Sequence, residues 1–140
     1  MSIHSTHNVV PESFYDLFME RMTFAALSTQ MPDGHLHVTP VWVDYDPENE
    51  VVLLNTERER QKEVNMQRDP KVGLYVPDPA DPWRWVSIQG EVVEMTEDGA
   101  KEHIDELARK WLDVDEYPNP IRTARVLVEI EPHRVITRAD

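Results

Sequence analysis

Six or seven short strands with three helices among them predict a mainly β fold, an antiparallel barrel whose helices cover its open ends. Three observations predict it. Tight-turn tetrads separate runs rich in Val, Thr and Leu, so successive strands join as hairpins. Strands and helices do not alternate, which disfavours a parallel α/β sheet. The 140 residues contain no internal repeat and no low-complexity linker, a length suited to one domain with its own core.

The elements follow in order. Residues 1–10 read as a loose arm, and residues 11–140 as a single domain. Pro11 and Glu12 open a helical pattern carried by Phe14, Leu17, Phe18 and Met22 or Arg21. Residues 23–29 read as a strand, which Met31-Pro32-Asp33-Gly34 turns into a second strand over residues 35–45. Asp46-Pro47-Glu48-Asn49 is the next turn, and residues 50–55 the third strand. Residues 58–68 read as a short helix with Val64 and Met66 as apolar contacts, stopped at Asp69-Pro70. A buried strand over residues 72–76 precedes a stiff loop holding Pro77, Pro79 and Pro82. Residues 83–95 form a long strand in which Gly90 signals a bulge or a close backbone approach. Thr96 caps a helix with Ala100, Ile104, Leu107, Ala108 and Trp111 on its apolar face. Residues 117–120 read as a loop, and 125–130 and 134–137 as the last two strands.

Charge narrows the function. Asp and Glu number 27 against 14 Lys and Arg, a net charge of -13. Long-range repulsion disfavours nucleic acid and anionic membranes as partners. Lysine occurs only at Lys62, Lys71, Lys101 and Lys110, a composition that suggests adaptation to high salt or an ordinary acidic surface. With no cysteine there is neither a disulfide framework nor a thiolate nucleophile. No run approaches the roughly 20 apolar residues of a membrane span. The leading segment MSIHSTHNVVPESF lacks the pattern of a secretory signal, so a cytoplasmic protein is expected.

Against this acidic background one cationic segment stands out. Asn55 and Thr56 end a strand; Arg58, Arg60, Gln61 and Lys62 then lead into a helix. A helix N-terminus exposes unpaired N–H groups, and Arg and Lys add charge, which together suit a phosphate. The interleaved Glu57, Glu59 and Glu63 equally allow a solvated helix laced with ion pairs. In the run His37, Val38, Thr39, Pro40, Val41, Trp42, the proline interrupts a ladder and frees backbone groups for a planar heterocycle, or simply guards an edge. Trp83 and Trp85 share one strand face and could stack on a ring, fill a subunit interface or pack a core. His35 and His37 offer two metal ligands without a third, so no metal site is expected. His103 and His133 read as surface or packing residues. No P-loop, dinucleotide fingerprint or G-x-S-x-G occurs.

Taken together, HVTPVWVDYD, LLNTERERQKEVNMQRDPKVGLYV and WRWVSIQGEVVEM resemble the pyridoxamine 5'-phosphate oxidase-like proteins, nearest to those using coenzyme F420 or FMN. The resemblance spans about residues 14–136. It rests on strand order, the Thr56-(x)5-Lys62 spacing, the Asp-Pro after the helix and the Trp before the glycine-bearing strand. It implies a split barrel that dimerises, with cofactor sites at the subunit interface. Residues His37 to Trp42 would line the ring, Asn55 and Thr56 the ribityl chain. Arg60, Gln61 and Lys62, with Arg58 nearby, would meet the phosphate, and Trp85 would reach the ring edge from the partner subunit. Gln61 stands where FMN-dependent pyridoxamine phosphate oxidases carry Arg, and no basic substrate-phosphate residues match near the C-terminus. The resemblance therefore implies an F420- or FMN-dependent oxidoreductase acting on a small organic acceptor. A flavin or F420 carrier, or a haem or tetrapyrrole binder, is the alternative on the same barrel.

Overall fold

The hairpins close on themselves. The computed structural model describes residues 4–139. In chain order the elements are β1 (His4–His7), a 3-10 turn (Glu12–Phe14), α1 (Asp16–Met19), β2 (Phe24–Gln30), β3 (Leu36–Asp46) and β4 (Val51–Glu57). They continue with α2 (Gln61–Arg68), β5 (Lys71–Asp78), β6 (Asp81–Thr96), α3 (Ala100–Leu112) and β7 (Arg125–Arg138). The barrel order is β7-β4-β3-β2-β5-β6, and β6 pairs with β7 to close it. Every pairing is antiparallel.

Period-two alternation fills the barrel. Val43 and Tyr45 of β3, Val52 and Leu54 of β4, and Val126, Val128 and Ile130 of β7 are all buried. Each such aliphatic side chain contributes about 1.5–3 kcal/mol on burial. Leu17 and Phe18 of α1 plug one end, with Phe18 and Tyr15 packed against Tyr45. At α2 it is Met66 that is buried, while Val64 faces outward. Asn65 of α2 donates to Thr29 Oγ1 at 3.1 Å.

The barrel is split at β3. Residues Leu36 to Trp42 pair with β2, whereas Val43 to Asp46 pair with β4. The first half of β3, including Pro40, is therefore laddered on one side only, which is where a residue without an N–H is tolerated. Gly34 closes the preceding turn with φ of 91° and donates its N–H to Met31.

Several elements differ from the sequence expectation. Residues 4–7 are not a loose arm: they pair with Val135 to Arg138 of β7. The first helical segment is a 3-10 turn followed by one short helix. The three prolines do not make a loop. Pro77 and Pro82 lie in β5 and β6, and only Pro79 and Ala80 turn between them. Gly99, not Thr96, precedes α3, while Thr96 Oγ1 accepts from the Asp98 N–H. The last two strands are one, β7, which runs through Pro132 by a bulge opposite Gly90.

A half-buried ion cluster ties α1 to the β5–β6 hairpin. Arg84 donates to Asp16 at 2.7 Å and to Asp78 at 3.0 Å, and its guanidinium lies 4.9 Å from the Phe14 ring centre. Arg84→Ala leaves Asp16 and Asp78 sharing only the more exposed Arg21, at 3.0 Å and 3.3 Å, and a loss of about 1–3 kcal/mol is expected in urea denaturation. The hydrogen bond from Arg84 holds the Asp16 carboxyl below its usual 3.8. A depressed folded value means this contribution is full above that pH and is lost as pH falls through the depressed range. The gap between wild type and Arg84→Ala should therefore narrow on acidification.

Among the described residues, no helix is long and apolar enough to cross a membrane. Nor do three or more His, Asp or Glu residues gather where they could hold a metal ion.

Candidate functional site

A cleft of about 380 Å³ opens between the β3–β4–β7 wall, the start of α2, the inner face of α3 and the loop holding Tyr117 and Asn119. Its polar end is built by β4 and the turn that follows. Asn55 and Thr56 finish the strand, and Glu59 then takes a left-handed φ of 75°. That conformation costs a non-glycine residue about 1–2 kcal/mol. It turns the chain so that Arg60 immediately precedes α2 and Lys62 lies in its first turn, where helix N–H groups are unpaired.

Pro40, Val41, Trp42, Asn55, Thr56, Arg60 and Lys62 meet around this cleft. The remaining expected residues lie elsewhere. His37, Val38 and Thr39 sit further along the open edge of β3, outside the cleft lining. Arg58 is turned away, paired with Glu97 at 3.1 Å and Glu63 at 3.5 Å. Gln61 donates to Asn65 at 2.8 Å and so braces α2 rather than facing the cleft. Trp85 stands on β6 opposite Pro77, beside Tyr75 and His4, away from the cleft of its own chain.

The sequence reading missed Arg125, the first residue of β7. It is only 7% exposed and lines the cleft with Arg60 and Lys62. Its Nε donates to Asn55 Oδ1 at 2.8 Å, and its guanidinium stands 5.1 Å from the Tyr117 ring centre. An Arg directly before the apolar run Val126-Leu127-Val128 was the available signal; its partner Asn55 is 70 residues away. Apolar residues close the other end: Met22, Phe24, Ile104, Leu107 and Leu112.

The polar end is electrostatically incomplete. Arg60 has Glu57 at 3.3 Å, but Glu57 also accepts from the Arg122 and Thr123 backbone N–H groups. Lys62 has no ion pair or hydrogen bond among the described residues. Burial, and then repulsion from Arg60 and Arg125, holds its pKa below the usual lysine value. Burial likewise lowers Arg125, although Tyr117 and Glu57 oppose the shift. Thr56 Oγ1 and Trp42 Nε1 are buried without partners. Buried polar atoms ordinarily are paired, so three cations and two orphaned groups around one cavity describe a receptor for an anionic ligand with further hydrogen-bonding groups. These residues fit a phosphorylated cofactor.

Fold and cleft together define a split barrel with a cation-lined cavity on its wall. The sequence model of the pyridoxamine 5'-phosphate oxidase family matches residues 13–139, and the chain belongs to that family. It is 29% identical over 124 residues to an F420H(2)-dependent biliverdin reductase of Mycobacterium tuberculosis, covering 88% of this chain and 85% of that protein. A solved F420 reductase structure is 28% identical, with a TM-score of 0.77 over 90% of this chain and 98% of the other. The conserved hypothetical protein Rv2991 of Mycobacterium tuberculosis shares the fold at 24% identity and a TM-score of 0.67, over 94% and 87% of the two chains.

Proposed function

We propose that the protein is an oxidoreductase that holds coenzyme F420, or FMN in its place, and transfers reducing equivalents to a small organic acceptor. The observation that carries this reading is the convergence of Arg60, Lys62 and Arg125 on one cavity, which Thr56, with its buried and unpartnered Oγ1, also lines. The two similar proteins named for F420 favour the deazaflavin over FMN. When bound, the cofactor supplies the hydride chemistry, and the protein supplies position and electrostatics.

Arg60 and Lys62 would bind the phosphate beside the start of α2. Arg125, braced by Asn55, would approach from β7. Trp42 and Pro40 would flank the ring on the open half of β3, and Met22, Phe24 and the α3 side chains would exclude water from its apolar end. The mouth continues onto an apolar outer face. The register of β3, β2 and β5 sets Val38, Pro40, Phe24 and Tyr75 on one side, with Phe24 58% and Val38 62% exposed. Such a face fits a second copy of the chain. A homodimer is part of this reading, and it would bring the partner's Trp85 face toward the mouth.

Lys62 gives the reading a pH signature. A bound anion stabilises its charged form, so its pKa rises on binding and a proton is taken up. Affinity for the cofactor is therefore expected to fall as pH rises from the lowered Lys62 pKa of the free protein through the ordinary lysine range. Calorimetric titration across that range checks this, and Lys62→Met should flatten the decline.

The activity is tested with chemically reduced F420 and a panel of quinones, enones and linear tetrapyrroles. Acceptor-dependent loss of the reduced cofactor supports the enzyme. Stable reduced cofactor across the whole panel favours the non-catalytic carrier.

A further inference from the structure

We propose that His103 is a positioning residue, fixing the Asn55 amide that in turn sets the Arg125 guanidinium on the cationic wall of the cleft. The inference rests on the reading of that cleft as an anion site. His103 lies on α3, is 7% exposed and does not line the cleft.

The hydrogen bonds fix every orientation in the chain. Asn55 Nδ2 lies 2.8 Å from the Ala100 carbonyl oxygen and 3.1 Å from His103 Nδ1. Asn55 Oδ1 accepts from Arg125 Nε at 2.8 Å. A flipped amide would set its oxygen against the Ala100 carbonyl and its N–H groups against the guanidinium. Only one orientation therefore satisfies all its partners. In that orientation Nδ2 donates to both, so His103 Nδ1 is the unprotonated acceptor. The ring proton is then on Nε2, which donates to Asp44 Oδ2 at 3.1 Å. Asp44 selects the His103 tautomer, His103 and Ala100 select the Asn55 orientation, and Asn55 presents an oxygen to Arg125.

The consequence concerns a buried cation. Arg125 has no carboxylate within ion-pair distance among the described residues, and Asn55 supplies its neutral acceptor. Without that acceptor the guanidinium keeps only its contact with Tyr117, and its Nε loses the one hydrogen bond that fixes the rotamer toward β4. Asn55 can keep its Ala100 bond after His103 is lost, but it no longer has two acceptors that forbid rotation. The predicted effect is on the pose of Arg125, and through it on ligand affinity.

The test is titration of F420 into wild type, His103→Phe, His103→Asn, Arg125→Ala and the His103→Phe/Arg125→Ala double variant, with far-UV circular dichroism as the folding control. His103→Phe is expected to raise the dissociation constant about five- to tenfold. His103→Asn, whose Oδ1 falls near the place of Nδ1, should stay within about threefold of wild type. In the Arg125→Ala background, His103→Phe should add no further loss. If the two losses multiply independently, or His103→Phe leaves affinity unchanged, the proposal is overturned. If His103→Phe does not fold, Asp44→Ala takes its place: a loss that vanishes in the Arg125→Ala background supports the relay, and an independent or absent loss overturns it. Failure of wild type to bind either F420 or FMN would instead overturn the reading of the cleft.

Discussion

Replacing Arg60 and Lys62 together with alanine is expected to weaken cofactor binding by about 2–4 kcal/mol, roughly 30- to 1000-fold. The size follows from where the two cations stand. Lys62 is partly buried beside Arg60 and Arg125 and lacks a partner, so its charge is held at a cost that only an anion relieves. Arg60 brings one guanidinium toward the same cavity while Glu57, its ion-pair partner, is also held by the Arg122 and Thr123 N–H groups. Removing both cations should therefore leave the fold nearly as stable as before while emptying the cleft of two of its three charges. Arg58→Ala is the internal control, because Arg58 is occupied by Glu97 and Glu63 and should change affinity little. Isothermal titration with F420 reads both results. Equal affinity in the double variant and wild type would return residues 58–62 to the role of a solvated, ion-paired segment.

The second large effect is on the barrel seam. Gly90→Val is expected to cost about 3 kcal/mol or more, enough to remove much of the stability of a domain this size. A Cβ at Gly90 would stand 2.6 Å from the Glu131 carbonyl oxygen and 3.0 Å from Ile130 Cγ2. The oxygen belongs to the backbone of the paired strand and cannot move without opening the ladder. The register explains the crowding. Gln89 pairs with Arg134 and Gly90 with Pro132, so His133 is an extra residue on β7, and the two backbones press together beside it. A second slip leaves Val93 as the extra residue on β6. The midpoint of urea unfolding measures the loss. Gly73, whose added Cβ would meet only ordinary contacts at 3.7 Å and 3.9 Å, provides the comparison through Gly73→Ala.

The same seam shows how far the sequence could be read. The turn residues announced the hairpins because Gly34 and the Asp46 tetrad act locally. Pro132 falls in the gap between the expected strands 125–130 and 134–137, and a proline cannot donate to a ladder. The bulge at His133 absorbs it, and nothing in the residues near Pro132 reveals Gly90 across the seam. Pro77 and Pro82 misled for the same reason, sitting in strands at the hairpin end where the register of β5 and β6 already shifts. His4 to His7 carried no strand signal of their own; they gain a ladder only because β7 extends past the end of β4.

The cleft divides along the same line. Asn55, Thr56, Arg60 and Lys62 were legible because one strand-to-helix turn delivers them all. Arg125 was not, because its place depends on pairing of β4 with β7. His103 read as a surface or packing residue, since α3 shows only its apolar stripe until the fold lays it across Asn55. Arg58 and Gln61 do not line the cleft: within one turn, charge pattern alone does not say which side chains face a cavity and which meet Glu97 or Asn65.

The most direct measurement is a titration of the purified, ligand-free protein with F420 and with FMN, following cofactor fluorescence. The account predicts saturable binding of at least one of them at one equivalent per chain, with F420 the tighter, and loss of that binding in the Arg60→Ala/Lys62→Ala variant. Absence of binding by both cofactors, or binding that the double variant leaves intact, would contradict it.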